Sequence, residues 1–358
     1  MKISKLKIII LSIILIVVLG VGITVYSFLA NIDTFGEDSP KPSATEIAKL
    51  KANKATDQGL YVNIPSGAST EKIADILSKL GVIDDTNVFK LISKIKNYDS
   101  KYKAGSFYVK WEMSYFEIMK VLSGMPAVVK VVFPEYMNIY QMAKRLEEKG
   151  LVNAKDFVEY SNSVKCNYRF AKYIPESRNP KYEGYLFPAT YTFERTVTMK
   201  EIVSQMLEAF DKRFTTEKYS KCKSIDMSPD QVVTLASIVE REAANSGEFK
   251  RIAGVFINRL NIGMRLQSDA TINYYVDTLP DESVLAGTKF TEIETPYNTY
   301  KYDGLTPGPI CNPSEAAVDA VLNYEHHDYY YFLAKGDGTS AFSATYSEHQ
   351  AAIAQYLR

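Results

Sequence analysis

The feature that most limits how this chain can fold is an uncharged apolar run near its beginning. Residues 8–30 form 23 consecutive positions without a charged side chain. About 20 apolar residues in a helix span the hydrocarbon core of a bilayer, so this run predicts a transmembrane helix within residues 1–30. Lys2, Lys5 and Lys7 precede the run. The positive-inside rule therefore predicts a single-pass protein of the cell membrane, with a cytoplasmic amino terminus and an extracytoplasmic remainder.

A cleaved signal peptide is the alternative interpretation of the same run. The apolar core of a signal peptide has about 7–15 residues and ends at a small-x-small cleavage site. Here the run is longer, and it ends in Tyr-Ser-Phe-Leu-Ala-Asn at residues 26–31. A retained anchor is therefore favoured.

Charge and cysteine content argue against nucleic-acid binding, a metal centre and a disulfide framework. The 42 basic and 42 acidic residues give a formal net charge of zero, which does not favour a nucleic-acid partner. Cys166, Cys222 and Cys311 lie far apart, lack the spacing of a metal site and are odd in number. We therefore expect no nucleic-acid binding, no metal centre and no complete disulfide framework.

The rest of the chain divides into three parts by composition and pattern. Residues 31–59 are polar and include Pro40 and Pro42, which predicts a tether. Residues 60–180 contain a repeat, and residues 181–358 are predicted to form a separate catalytic domain. Because both strands and helices are predicted in these parts, the expected fold class is mixed α/β (α+β).

The repeat consists of two similar strand–helix segments. The first begins at Val62-Asn-Ile-Pro65 and the second, 69 residues later, at Val131-Val-Phe-Pro134, and Gly81 matches Gly150 at the same shift. Two copies of one unit are the economical explanation. The first copy resembles a LysM module, a small fold that often binds N-acetylated glycans. A purely architectural role for this region is the alternative.

A predicted helix that begins near Ser228 carries the first candidate for chemistry. Ser228, Pro229 and Gln231 form a helix start, and Glu240 follows nine residues without a charge. The residues around Glu240 on its own face are small, and an apolar environment raises a carboxyl pKa, as a general acid near neutral pH requires. The alternative is a helix end in solvent. Glu242 lies about 200° further round the helix, so we do not expect it to pair with Glu240.

Several further elements follow from periodicity, capping residues and turn residues. The predicted helices extend over Met199–Phe210, over about 248–261, and from the predicted capping box Asn312-Pro-Ser-Glu315 to about Leu322. A last helix follows the capping box Thr345-Tyr-Ser-Glu348. A loop is predicted over 264–269, and a hairpin with strands at 329–334 and 341–343.

From Tyr182 onward the chain closely resembles the endolytic murein transglycosylases, also called the YceG-like family. The resemblance is carried, in order, by Glu183-Gly-Tyr-Leu-Phe-Pro188, Leu235-Ala-Ser-Ile-Val-Glu240, Val255-Phe-Ile-Asn-Arg259, Gly263-Met-Arg-Leu-Gln267, Tyr297-Asn-Thr-Tyr300, Pro307-Gly-Pro-Ile310 and Thr345-Tyr-Ser-Glu-His349.

This resemblance implies an anchored enzyme that cuts the β-1,4 bond after N-acetylmuramic acid in nascent peptidoglycan strands. The product end would be a 1,6-anhydro sugar, and the cut would limit glycan length. The catalytic glutamate of the family falls on Glu240. Since the 6-hydroxyl of the muramic sugar replaces water, one carboxyl group suffices, and no metal or cofactor is required. The implied partners are peptidoglycan strands, the membrane and cell-wall synthesis proteins.

Two other functions remain open from the residues alone. One is a hydrolytic muramidase or glucosaminidase in which Asp269 or Glu183 positions a water. The other is a scaffold without catalytic activity that binds peptidoglycan through the LysM-like region.

Candidate substrate-binding residues combine aromatic rings and amides, which suit pyranose faces and N-acetyl groups. They are Gln267, Asp269, Tyr297, Asn298, Tyr300 and Asn312. Loop residues that satisfy local backbone groups are the alternative for each of them. Two positions depart from the family pattern, because Ser340 stands where a histidine is expected and Thr306 where a proline is expected.

Overall fold

The computed structural model of the protein describes residues 5–37, 42–50, 53–279, 285 and 288–357. These residues fall into two compact units. The first unit extends to residue 129 and includes 194–196, and the second comprises 130–193 and 197 onward. The boundary predicted between residues 180 and 181 lies inside the second unit.

The first helix, α1 (Lys5–Ala30), corresponds to the apolar run. Its segment Ser12–Ala30 is not buried anywhere in the structure. Among the described residues, α1 is the one helix that is long and apolar enough to cross a membrane. The helix predicted from the sequence is therefore present, and its orientation in a membrane stays a prediction.

The rest of the first unit is a small α/β structure. Its elements are α2 (Ala44–Lys49), β1 (Gly59–Ile64), α3 (Thr70–Lys79), α4 (Thr86–Ile95), β2 (Gly105–Lys110) and α5 (Tyr115–Leu122). β1 and β2 pair antiparallel, with Gly59 opposite Lys110 and Ile64 opposite Gly105. The two helices α3 and α4 lie between these strands in sequence. Apolar residues of the strands and helices form one core.

Part of the predicted tether is folded against this core. Ile32 is only 5% exposed and belongs to the core of the first unit. The indole N–H of Trp111 donates to the carbonyl of Thr56 at 2.9 Å, and the side chain of Asn53 donates to the carbonyl of Tyr61 at 2.8 Å. These contacts attach both ends of the segment to the first unit.

From residue 128 onward, helices predominate. The elements are β3 (Val128–Val132), α6 (Ile139–Glu148), α7 (Ala154–Ser163), β4 (Thr190–Glu194), α8 (Met199–Arg213), α9 (Thr216–Ser224), α10 (Pro229–Glu242), α11 (Phe249–Asn261), α12 (Asp269–Asp277), α13 (Glu315–Leu322), β5 (Tyr331–Ala334), β6 (Ser340–Ser343) and α14 (Tyr346–Tyr356). β3 pairs with β4, and β5 pairs with β6 as the predicted hairpin.

Both copies of the repeat form a strand followed by a helix, as predicted. β1 and α3 are the first copy, and β3 and α6 are the second. The corresponding residues Leu77 and Leu146 are fully buried. The resemblance of the first copy to a LysM module stays a prediction.

The organising element of the second unit is α10, which contacts α9, α11, α12 and α13. Ser228 caps its first turn, and the Gln231 side chain accepts in return from the Ser228 backbone N–H. Every residue from 232 to 239 is buried. The predicted start of this helix and its burial on most sides are both confirmed.

Two local predictions near the site are wrong. The cap of α13 is Ser314, whose hydroxyl accepts from the Ala317 N–H at 3.0 Å, and Asn312 lies outside this cap. The predicted loop over 264–269 ends earlier, because Asp269 is already the first residue of α12. In both places the helix begins where buried contacts fix the chain, which a local capping pattern does not reveal.

Candidate active site

Two glutamates at the end of α10 face different neighbours. Glu240 contacts Ser314, and Glu242 contacts Ser268. Two residues along a helix correspond to about 200° of rotation, so the two carboxyl groups point to opposite sides. The expectation that they do not form a pair agrees with these contacts.

Glu240 is tied to the start of α13. Its Oε2 accepts from the backbone N–H of Ser314 at 2.9 Å and from the Ser314 hydroxyl at 2.6 Å. Burial raises the pKa of Glu240, the hydrogen bonds from Ser314 lower it, and the charge of Glu135 raises it. The expected upward direction of this pKa is therefore present. The carboxyl group also acts as a structural link between two helices.

Glu242 is held by the segment that follows α11. The Ser268 hydroxyl donates to Oε1 of Glu242, and the backbone N–H of Ala270 also donates to this carboxyl group. Burial is the main cause that raises the pKa of Glu242; the hydrogen bonds from Ser268 and Ala270 lower it, and the charge of Asp269 raises it. A half-buried acid with a raised pKa is a functional-site candidate when it also lies in a cleft.

Such a cleft, with a volume of about 500 Å³, lies beside Glu242 and not beside Glu240. Its size is within the range of small-molecule and glycan sites. The residues that line it come from six parts of the second unit: Glu242, Arg259, Gln267, Asp269, Tyr300, Tyr331, Phe332, Leu333, Ala334, Ser340, Tyr346 and His349. Three of the six predicted binding residues are among them.

These three residues are held together by hydrogen bonds between two loops. The backbone N–H of Gln267 donates to the carbonyl of Thr299 at 3.1 Å, and the Tyr300 hydroxyl donates to Oδ1 of Asp269 at 2.7 Å. The Thr299 hydroxyl accepts from the backbone N–H of Ser268 at 2.9 Å. The Tyr-Asn-Thr-Tyr segment therefore positions the same loop that holds Glu242.

Arg259 fixes a second side of the cleft. Its guanidinium donates to the carbonyl of Tyr330 and to the carbonyl of Leu266, both at 2.6 Å, and lies 5.4 Å from the ring centre of Tyr331. Through these contacts one buried cation connects α11, the 264–268 segment and the β5–β6 hairpin.

Asn298 and Asn312, predicted to bind substrate, do not line the cleft. Both are fully buried. Asn298 donates to the carbonyls of Thr291 and Ile293 at 3.0 and 2.7 Å. For both residues the contacts fit the alternative, because each amide is fully buried and donates to groups of the protein itself.

Asn312 joins three parts of the second unit. Its amide accepts from the Leu186 N–H at 2.9 Å and donates to the Met137 carbonyl and to Glu183 at 3.1 Å each. Tyr297 is also outside the cleft, where its ring packs against Tyr274 with 5.0 Å between ring centres.

Glu183, one residue of the hydrolase alternative, is buried beneath α6. It is 1% exposed, and its two oxygens accept from the Ile139 N–H at 3.1 and 3.0 Å. Burial raises the pKa of Glu183 to about 8. This carboxyl group does not line the cleft and cannot position a water there.

His349 lines the cleft and is not among the residues predicted to bind substrate. Its ring stacks on Tyr331 with 5.2 Å between centres, and burial together with the charge of Arg259 lowers its pKa. An imidazole therefore lines the cleft although the position expected to hold a histidine is Ser340. The Ser340 backbone N–H and hydroxyl donate to the two oxygens of Glu248, at 2.8 Å each.

Comparisons with known proteins show the family of the chain. The model of the YceG-like family matches residues 62–355. The chain is 33% identical to the endolytic murein transglycosylase of Bacillus subtilis strain 168 over 308 residues, which cover 83% of this chain and 84% of that protein.

Two further similarities cover the same share of the chain. The protein of the same name from Streptococcus pneumoniae strain D39 is 32% identical over 321 residues, which cover 83% of this chain and 58% of the pneumococcal protein. A crystal structure of a YceG-like protein from Listeria monocytogenes is similar with a TM-score of 0.55 and 31% identity, covering 83% of this chain and 99% of that one.

Proposed function

Since this chain belongs to the YceG-like family and is an enzyme of the lytic transglycosylase type, we propose that it cleaves glycan strands of peptidoglycan internally. The bond cut is the β-1,4 bond between N-acetylmuramic acid and N-acetylglucosamine. The new end is 1,6-anhydro-N-acetylmuramic acid, and the cut ends the growth of the strand.

The observation that carries this proposal is the position of Glu242 in the 500 Å³ cleft, next to Asp269 and Tyr300. We assign the general acid and base to Glu242. Burial raises its pKa, which is the direction that a general acid requires. Ser268 and the Ala270 N–H orient its carboxyl group without removing it from the cleft.

The role predicted for Glu240 stays a prediction beside this one. Both glutamates have pKa values raised by burial. Each carboxyl group accepts from a serine hydroxyl and a backbone N–H, and the difference is that Glu242 lines the 500 Å³ cleft whereas Glu240 does not. A carboxyl group that transfers a proton to a bulky glycan must reach the bond to be cut.

The reaction needs one proton-transferring group and no water. Protonated Glu242 donates its proton to the glycosidic oxygen as the bond from that oxygen to C1 of the muramic sugar breaks. The resulting carboxylate then takes the proton from the 6-hydroxyl of the same sugar as O6 bonds to C1. Glu242 ends protonated, and atoms and charge balance without a second reactant.

The other cleft residues supply binding and charge. The rings of Tyr300, Tyr331 and Tyr346 offer apolar faces for pyranose rings, and Gln267 offers an amide for an N-acetyl group. Asp269 also lines the cleft, and a negative charge there would stabilise the positive charge that develops at C1.

The presence of a second carboxyl group in the cleft, that of Asp269, favours hydrolysis as the second candidate function. Retaining and inverting glycosidases use two carboxyl groups, and Glu242 and Asp269 line one cleft. In that mechanism Asp269 would activate a water, and the product would carry a reducing end. The bond between Asp269 and the Tyr300 hydroxyl weighs against this role, because it occupies one carboxylate oxygen.

We further propose that α1 anchors the enzyme in the cell membrane with the catalytic unit outside. The support is the exposed apolar segment Ser12–Ala30 and the basic residues before it. A membrane position places the enzyme beside strands that are still being polymerised, where cell-wall synthesis proteins would be its partners.

Mass spectrometry of products from uncrosslinked glycan strands tests the proposal. The full chain in nanodiscs is compared with its Glu242→Gln and Glu240→Gln variants. We expect anhydro ends from the wild type and from Glu240→Gln, and a rate lowered by about 10²–10⁴-fold in Glu242→Gln. Loss of activity in Glu240→Gln with activity retained in Glu242→Gln would move the acid to Glu240. Reducing ends would establish a hydrolase instead.

A further inference from the structure

The segment directly after α1 is packed into the first unit instead of leading away from it. Phe28 and Phe35 pack against the core that contains Ile32. The Phe35 ring lies 5.3 Å from the ring of Tyr115, and the Phe35 carbonyl accepts from the Tyr115 N–H at 2.8 Å. Gly36 has a φ of +94°, and a Cβ there would meet the Tyr115 ring at 2.5 Å. The close approach of chain and ring therefore requires glycine.

This packing sets the height of the first unit relative to a bilayer that contains α1. The apolar run of 23 residues is about 35 Å long as a helix, against about 30 Å for the hydrocarbon core. Residues just beyond Ala30 then lie in the headgroup layer, which is about 5–8 Å deep on each side. Side chains of the first unit that contact residues 31–36 therefore also lie at the depth of the headgroups.

Lys96 makes such a contact, and two aromatic rings connect it with two further lysines. Lys96 at the end of α4 forms an ion pair with Asp33 at 2.5 Å, and its ammonium lies 4.7 Å from the ring centre of Phe116. Lys120 lies 4.1 Å from the same ring centre. Tyr98 packs edge-on against Phe116 at 5.8 Å, and Lys101 lies 5.1 Å from the Tyr98 ring centre.

We propose that this lysine–aromatic patch (Lys96, Lys101, Lys120, Tyr98 and Phe116) binds the headgroups of anionic phospholipids around α1. Among the residues that the structure describes, Lys101 and Lys120 form no salt bridge, so their ammonium groups can bind lipid phosphates. The negative surface potential of an anionic bilayer attracts lysines that lie close to the membrane. Aromatic rings with polar edges suit the same interfacial layer.

Apolar side chains extend the patch along α4. Leu91 is 49% exposed and Ile95 is 46% exposed, one helical turn apart on α4, which Lys96 directly follows. Exposed apolar residues beside lysines are typical of helices that lie at a membrane surface. The patch therefore combines charge, rings and apolar side chains next to the membrane helix.

This inference rests on the proposed anchoring by α1, and it adds a second membrane contact. Two attachments hold the first unit against the bilayer, whereas a single helix followed by a flexible tether lets it tilt freely. The lipid class selected by the patch is the anionic one, and zwitterionic lipid alone should not engage it.

Fluorescence quenching in nanodiscs tests the patch with the full chain. An environment-sensitive dye is attached to an Ile95→Cys variant that also carries Cys166→Ser, since Cys222 and Cys311 are buried and do not react. The quencher is a lipid with a nitroxide on its headgroup. Discs contain either phosphatidylglycerol with phosphatidylcholine, or phosphatidylcholine alone.

We expect quenching to be at least about twofold stronger with phosphatidylglycerol, and this gain to disappear in the triple variant Lys96→Gln, Lys101→Gln, Lys120→Gln. The matched control is Lys72→Gln, Lys79→Gln, Lys110→Gln, which removes the same charge from exposed positions of the first unit and should behave as the wild type. Equal quenching in both disc types, or an equal loss in both triple variants, would overturn the patch.

Insertion of α1 is measured in the same samples by co-elution of the chain with the discs. Chains that do not co-elute would overturn the proposed anchor and with it the position of the patch. Chains that co-elute without the lipid-dependent quenching would overturn the patch alone, because glycan cleavage and insertion do not depend on it.

Discussion

The hydroxyl of Ser268 donates a hydrogen bond to Oε1 of Glu242. It connects the last turn of α10 with the residue that precedes α12, so the acid is oriented by a part of the chain 26 positions away. The same residue, through its backbone N–H, is held by Thr299 at 2.9 Å. Removal of either hydrogen bond, from Ser268 to Glu242 or from Ser268 to Thr299, should therefore alter proton transfer without unfolding the second unit.

Ser268→Ala should shift the pH dependence of cleavage toward higher pH. Glu242 must be protonated to act as the acid, so the rate falls as the pH rises through its pKa. The Ser268 hydrogen bond lowers that pKa, and its loss lets burial raise the pKa further. The measurement is kcat/KM against pH, with Ser224→Ala as an exposed control. If kcat/KM of the variant fell over the same pH range as that of the wild type, the assignment of the acid to Glu242 would be contradicted.

Tyr300→Phe should weaken catalysis while leaving the ring in the cleft. The change removes the hydrogen bond to Asp269, worth about 1 kcal/mol, so kcat/KM should fall roughly fivefold. Tyr302→Phe is the matched control, because its hydroxyl also donates to a carboxylate, Glu294, but outside the cleft. Equal effects of the two changes would show that the Tyr300 bond has no special role.

Asn312→Ala should destabilise the second unit by about 2 kcal/mol, because it leaves the buried N–H of Leu186 without its partner and removes one hydrogen bond each from the Met137 carbonyl and from Glu183. The free energy of unfolding from urea titration in detergent measures this loss. Asn261→Ala, an exposed change at the end of α11, should stay within about 0.5 kcal/mol of the wild type. Unchanged stability together with a raised KM would instead show that Asn312 binds substrate.

Glu183→Gln should remove one source of pH dependence from the stability of the second unit. The pKa of Glu183 is raised from 4.5 to about 8 by burial, so the folded chain binds this proton more tightly than the unfolded chain. Its stabilisation is complete below about pH 4.5 and is lost as the pH rises toward 8, at about 1.4 kcal/mol per pH unit in between. Urea midpoints at pH 5.5 and 7.5 measure the slope, which should be smaller in the variant. An unaltered slope would mean that Glu183 is ionised throughout this range.

Much of the local structure was predictable, because it follows from short-range periodicity. The uncharged run predicted α1, and the pattern after Ser228 predicted both the start of α10 and its burial. The repeat predicted two strand–helix segments, and both are present. The capping box Thr345-Tyr-Ser-Glu348 is also present at the start of α14. In each case the signal lies within a few turns of the element that it specifies.

The sequence by itself determined α1, the start of α10, the cap of α14 and the family of the chain, whereas the tertiary structure decided which side chains share the cleft. Helical period gave the angle between Glu240 and Glu242, but only the packing of α13 on one side and of the 264–268 segment on the other decided which carboxyl group lines the cleft. Likewise, an asparagine amide suits an N-acetyl group and a backbone carbonyl equally well, and long-range packing buried Asn312 against backbone groups more than 100 residues away. His349 reaches the cleft for the same reason: contacts between distant segments are set by how buried surfaces fit together, and no local pattern encodes that fit.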